Sequence, residues 1–195
     1  MDVFDFDNTI YDGECSLDFF KYCIKRKPSL ARYLPRIAAM AVKYKMGKVS
    51  NEEVAEIGAL MLGVLASNAD RLNEALNDFW KQNISKLKPE ILKMIKEGDA
   101  IVSASPSFMF DCIKDRLCGA DVIATTVDIK AKKVITLCYG ENKVTEFKKR
   151  YPGVIPENFY TDNFNDMPML RFARSAWLVE GVKLRRVKKH GPAQK

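Results

Sequence analysis

At 195 residues, with 47% apolar and 29% charged residues, the sequence describes one soluble domain with room for an insertion. Its net charge of +7 is local: residues 183–195 carry six Lys/Arg and no acid, which leaves the remainder at 26 minus 25, or +1, so a nucleic-acid partner is not expected. A single histidine, His190, excludes a Ser-His-Asp triad, a Cys-His pair and a histidine metal cluster, so acid, base and nucleophile must come mainly from carboxylates, Ser, Lys or Tyr.

The chain opens with a short apolar strand, Val3, Phe4 and Phe6, interleaved with Asp5 and Asp7. In an extended strand residues i and i+2 share a side. The two aspartates then point together, which repels unless a cation sits between them. Residues 16–83 read as almost continuous helix. Ser16–Lys27 stops at Pro28; Leu30–Met46 is interrupted at Pro35 and closed at Gly47; Asn51–Leu65 opens with Ser50 and Glu53 in a capping box. Arg71–Leu87 places Leu72, Leu76, Phe79 and Trp80 at helical spacing.

From Pro89 the pattern alternates. A helix starts at Pro89 and ends near Gly98. Strand Ala100–Ser103, helix Pro106–Leu117, strand Asp121–Thr125 and an extended pair at Val127–Ile129 and Val134–Cys138 follow. A helix from Lys143 to before Pro152, strand Asn158–Thr161, a helix near Met167–Arg174 and strand Ala176–Val179 complete the series. Alternation of this kind predicts an α/β, Rossmann-like, mostly parallel sheet with helices on both faces. The helical block then becomes an inserted α-helical cap. The expected division is a discontinuous core, 1–13 and 84–182, a cap over 14–83, and a basic, flexible tail over 183–195.

Five cysteines, Cys15, Cys23, Cys112, Cys118 and Cys138, form no Cys-x-x-Cys pair, which argues against a zinc site or disulfide framework. The longest uncharged run, Ile57 to Ala69, is too short to span a bilayer, and no basic-then-apolar segment precedes the first strand. A cytoplasmic protein with reduced thiols is the expectation.

Ligands of open parallel sheets bind beyond the carboxyl ends of the strands. Asp5 and Asp7 follow strand one, Ser103 follows Ile101-Val102, Asp162 follows Phe159-Tyr160-Thr161, and Asp166 lies four residues on. Lys143 opens a helix, where a cation opposes the helix dipole. Ser105 reads as the cap before Pro106. In order and spacing these residues resemble the haloacid-dehalogenase superfamily of aspartate-nucleophile phosphatases. Asp-x-Asp-x-Thr matches at Asp5, Asp7 and Thr9, the strand-closing hydroxyl at Ser103, and the lysine motif at Gly140-Glu141-Asn142-Lys143. The acidic motif matches Thr161-Asp162-Asn163-Phe164-Asn165-Asp166, with Thr161 where the family has glycine. The insertion is similar to that of the phosphoserine-phosphatase-like subgroup, and Glu14, nine residues after Asp5, stands where those enzymes carry a substrate-reading glutamate.

The resemblance implies roles. Asp5 would attack phosphorus to give an aspartyl-phosphate, and Asp7 would protonate the leaving oxygen and then deprotonate water. Mg2+ would be held by Asp5, Asp162 and a carbonyl near Asp7. Ser103 and Lys143 would grip phosphoryl oxygens, Thr9 would orient the loop, and Asp166 would support Lys143. An aspartate at position 7 favours phosphatase or phosphotransferase over dehalogenase within that superfamily. The expected substrate is a small phosphorylated metabolite. The alternatives are a non-catalytic member, a phosphotransferase, or a peripheral enzyme taking a lipid phosphate. In the last case the basic segment 21–48, with nine Lys/Arg and no acid, would meet anionic lipid.

Overall fold

The computed structural model of the chain describes residues 1–45, 50, 52–53 and 72–188. Its strands are β1 (Val3–Phe4), β2 (Ala100–Pro106), β3 (Asp121–Asp128), β4 (Lys133–Thr136), β5 (Asn158–Thr161), β6 (Ser175–Glu180) and β7 (Lys183–Arg186). They form one sheet in the order β4-β3-β2-β1-β5-β6-β7. β1 is central and pairs in parallel with β2 and β5, β2 pairs in parallel with β3, and β5 with β6. Antiparallel partners close both edges, β4 on β3 and β7 on β6. The sheet is α/β and mostly parallel, with helices on both faces.

Alternation along the strands decides which helix packs where. Val3, Ala100, Val102, Phe159 and Ala176 face α5 (Glu141–Arg150) and α6 (Met167–Phe172) through Phe147, Met169 and Leu170. Phe4, Ile101 and Tyr160 face the other way, with Phe6 beyond them, against α1 (Cys15–Arg26), α3 (Leu72–Asn83), α4 (Pro89–Leu92) and the segment 107–117. Phe79, Trp80, Tyr11 and Phe6 fill that side with edge-on and stacked rings 5.1–6.3 Å apart. A smaller cluster of Phe20, Leu30 and Ile37 ties α1 to α2 (Leu34–Lys45).

Several elements depart from the sequence reading. Pro35 does not interrupt a helix: Pro28–Tyr33 is a 3-10 turn, and α2 begins at Leu34 with Pro35 in its first turn, where no N–H partner is lost. The expected helix Asn51–Leu65 lies outside the described residues apart from its first turn. There Ser50 and Glu53 exchange backbone-to-side-chain bonds of 3.2 Å, a reciprocal capping box. The helix from Arg71 to Leu87 gives way after Asn83 to a 3-10 turn, Ile84–Lys86. The helix from Pro89 to Gly98 is regular only to Leu92.

Residues 107–117 are not an α-helix. Their N–H groups bond three residues back: Phe110 to Ser107, Ile113 to Phe110, and Arg116 to Ile113. The Met109 carbonyl, which an α-helix would give to Ile113, instead accepts the buried Trp80 indole at 2.7 Å. Lys183–Arg186, expected to begin a flexible tail, pair with β6 as β7. A two-residue loop led by Gly181, φ +66°, makes that hairpin possible. Among the described residues, no helix is long and apolar enough to cross a membrane.

Candidate active site

The carboxyl ends of β1, β2 and β5 meet at one place, and the polar residues there come from all three strands. β1 hands its chain to an extended Asp5, whose N–H reaches the Tyr160 carbonyl of β5 at 2.8 Å. The backbone then curls, the Phe6 carbonyl accepting Ile10 and Tyr11 N–H groups at 2.8 and 2.9 Å, and Asn8 takes φ +56°. The extended run therefore stops before Asp7, so the two aspartates acquire different partners.

Asp5 is buried, and its Oδ1 accepts from the Lys143 ammonium at 2.7 Å. Lys143 also donates to Asp166 Oδ2 at 2.7 Å, and Thr161 donates to the same oxygen at 2.9 Å. All four side chains are almost fully enclosed. Gly140 precedes α5 with φ +55° and ψ −124°, a conformation reserved in practice for glycine, and so aims the first turn of α5 and Lys143 at the site. Burial pushes the Asp5 carboxyl well above its usual range; the charges of Asp166 and Asp162 add to this, while Lys143 opposes it.

Asp7 is held by neutral donors. Its Oδ1 accepts the Cys15 N–H, the first of α1, at 2.6 Å, and its Oδ2 accepts the Ser105 hydroxyl at 2.7 Å. Burial raises its pKa, and those two donors work against the rise. Ser105 is thus more than the cap before Pro106. It was missed because one serine ahead of a proline has an ordinary explanation, and nothing in the sequence shows that Asp7 curls back to meet it.

Ser103 is fully buried at the point where the β2–β3 register breaks, and its Oγ accepts the Ser105 N–H at 3.1 Å. Asp162 is half-buried and accepts from Asn163 at 2.8 Å; burial raises its pKa. Glu14 is the N-cap residue of α1, yet its side chain makes no cap bond and instead accepts from Asn8 at 2.7 Å. Burial, then the charges of Asp7 and Asp162, push Glu14 up to about 7. The Thr9 hydroxyl is buried and makes no hydrogen bond among the described residues, so it does not orient the loop by one. Lys88 does that work, donating to the Asn8 carbonyl and, at 2.9 Å, to the Gly181 carbonyl.

Among the described residues no three Asp, Glu, His or Cys side chains converge closely enough to ligate an ion unaided. The donor set nonetheless suits a hard cation. Beyond burial, Asp166 and Asp162 raise the proton affinity of Asp5, Asp166 raises that of Asp162, and Asp7 and Asp162 raise that of Glu14. That is an excess of negative charge among oxygen donors. Mg2+ characteristically takes one or two carboxylates and keeps several waters.

A family model for haloacid dehalogenase-like hydrolases matches residues 3–171. The chain belongs to the haloacid dehalogenase-like hydrolase family. It is an enzyme, and a hydrolase. No curated protein matches its sequence. Solved structures share the fold: a Bordetella pertussis protein of unknown function at 20% identity and TM-score 0.72, covering 90% of this chain and 87% of that one. A phosphoserine phosphohydrolase-like protein from Francisella tularensis aligns at 16% identity and TM-score 0.58, over 90% and 86% of the two chains. A structure described as a phospho-aspartyl intermediate analogue of phosphoserine phosphatase aligns at 16% identity and TM-score 0.51, over 89% and 83%.

Proposed function

We propose that this hydrolase is a Mg2+-dependent phosphatase that cleaves a phosphomonoester of a small metabolite through an aspartyl-phosphate on Asp5. The observation that carries the reading is the contrast between two neighbouring carboxylates, Asp5 against a buried ammonium and Asp7 against neutral donors. Environments that separate two carboxylates in this way separate their roles. Family membership and the likeness to phosphoserine phosphatase structures point the same way.

Asp5, Asp162 and the Asp7 carbonyl would hold Mg2+, which supplies charge neutralisation and polarises the phosphoryl group when bound. Asp5 forms the new P–O bond as the ester P–O bond breaks, and the proton of Asp7 goes to the departing oxygen. Water then attacks the acyl phosphate, its proton passing to Asp7 as the Asp5 carboxylate is released. Lys143 and Ser103 bind phosphoryl oxygens. With its oxygen accepting from Ser105 N–H, the Ser103 hydroxyl keeps its own hydrogen to donate. Asp166 fixes Lys143. The segment 14–83 serves as the cap over a core of 1–13 and 84–182, and Glu14 reads the substrate at their junction, so Glu14→Gln raises KM for the true substrate more than for a featureless aryl phosphate.

A lipid phosphate is the less supported substrate. In the basic segment, Lys21, Arg26 and Lys43 already pair with Asp18, Asp78 and Glu53, which reduces the charge free to meet a membrane.

Turnover of p-nitrophenyl phosphate, silenced by EDTA and restored by Mg2+, is the expected result. Metal-independent turnover, or none, overturns the reading. A screen of phosphorylated metabolites then identifies the substrate.

A further inference from the structure

We propose that Ser105 is the positioning residue for the acid/base Asp7, and that through Ser16 it ties that carboxylate to the first turn of α1. The inference rests on the phosphatase reading above.

Ser105 Oγ is buried and has three polar neighbours: Asp7 Oδ2 at 2.7 Å, Ser16 Oγ at 2.8 Å and Cys15 Sγ at 3.2 Å. With Asp7 deprotonated, as it must be to take the proton of water, its carboxylate only accepts, so the single hydrogen of Ser105 goes to Asp7. Ser105 then accepts from Ser16 and from the Cys15 thiol. In that state the chain runs Ser16 to Ser105 to Asp7. The second oxygen of Asp7 is pinned independently by the Cys15 N–H at 2.6 Å. Two donors on two oxygens, one from β2 and one from α1, define the plane of the carboxylate.

That orientation matters in both halves of the reaction. In the first, Asp5 forms a P–O bond, the ester P–O bond breaks, and the proton of Asp7 must reach the departing oxygen. In the second, water forms the P–O bond, the acyl phosphate bond breaks, and the proton returns to Asp7. A carboxyl rotated away from that line fails at both, and small misplacements of a reacting group cost large factors in rate. Ser105 touches neither substrate nor metal in this scheme; it acts only through Asp7.

The test compares p-nitrophenyl phosphate with phenyl phosphate, two esters of similar shape whose leaving groups differ in their need for an acid, in wild type, Ser105→Ala and Ser105→Thr. The quantity kcat/KM reports the first phosphoryl transfer. In Ser105→Ala it should fall about tenfold or more for phenyl phosphate and stay within about twofold for p-nitrophenyl phosphate, since acid catalysis is worth about 10²–10⁴ and only the poorer leaving group needs it. With p-nitrophenyl phosphate kcat should still fall, with a burst of nitrophenol, because hydrolysis of the acyl phosphate needs Asp7 as base. Ser105→Thr keeps the hydroxyl and should restore both. If the alanine variant does not fold, Ser105→Cys, a weaker donor of nearly the same volume, should show the same divergence. Equal losses on the two esters, or none, overturn the positioning role. A wild-type enzyme that hydrolyses neither ester overturns the phosphatase reading, and this inference with it.

Discussion

The two ends of the opening motif are two residues apart and face different kinds of surroundings. Around Asp5 the partners are charged and belong to the carboxyl edge of the sheet: Lys143 from α5, with Asp166 and Thr161 behind it, all enclosed. Around Asp7 the partners are neutral donors, Cys15 N–H and Ser105 Oγ, at the seam between α1 and β2. A fixed ammonium holds the Asp5 carboxyl in place and opposes the rise that burial imposes on its pKa, which suits the proposed nucleophile. Neutral donors beside a pKa raised by burial leave a proton that can come and go, as an acid/base requires. The sheet supplies the charged half, and the junction with the inserted helices supplies the neutral one.

The harshest way to break the contrast is Asp5→Asn, which keeps the shape but removes the proposed nucleophile. Turnover of any phosphomonoester should vanish while the far-UV circular dichroism stays that of wild type. Lys143→Met comes next. It leaves Asp5 and Asp166 facing each other unpaired in the interior, and removing one partner of a buried ion pair costs about 3–5 kcal/mol. Urea melts should show a loss of that order in the absence of phosphate, together with a fall in kcat.

Glu14 tests the neutral half. Its pKa in the folded chain is raised from 4.5 to about 7, so it favours folding while protonated, fully below about 4.5, and that contribution is lost as pH rises through about 7. In EDTA, wild type should lose stability between pH 5 and pH 8 relative to Glu14→Gln, by up to about 3 kcal/mol. Equal pH dependence in the two proteins would place Glu14 in ordinary solvent. The smallest effect concerns the exit from β2 beyond Ser105. Trp80→Phe orphans the buried Met109 carbonyl and should cost about 1–3 kcal/mol. If it also disturbs Asp7, it should lower kcat/KM on phenyl phosphate more than on p-nitrophenyl phosphate.

Much of the sheet was legible because its signal is local. Asn158–Thr161 is short, has Phe159 and Tyr160 at its centre and is bounded by Glu157 and Asp162, and it forms β5 with the expected ends. The hairpin that closes the far edge was readable in the pair around Val127 and Val134. What failed was decided at a distance. Residues 107–117 carry helical spacing in Met109, Phe110, Ile113 and Leu117, but Trp80 from another element claims the carbonyl an α-helix would need. β7 was hidden by its charge: an edge strand with every residue exposed looks like a basic tail, and only Gly181 marks the turn. At the site three motif segments could be placed at strand ends and the lysine motif at a helix start from order alone, and the fold brings all four to one edge. Ser105 and Lys88 could not be found that way. Their roles depend on a loop that turns back at Phe6, and a hydroxyl bonded to a distant carboxylate or an ammonium bonded to distant carbonyls leaves no periodic trace.

The contrast between Asp5 and Asp7 is tested most directly in Asp7→Asn. Loaded with Mg2+ and p-nitrophenyl phosphate and quenched in acid, this variant should carry one phosphoryl group per chain, which peptide mapping by mass spectrometry places on Asp5. A phosphoryl group on another residue, or none in a variant that still turns over at the wild-type rate, would contradict the assignment of nucleophile and acid/base to these two aspartates.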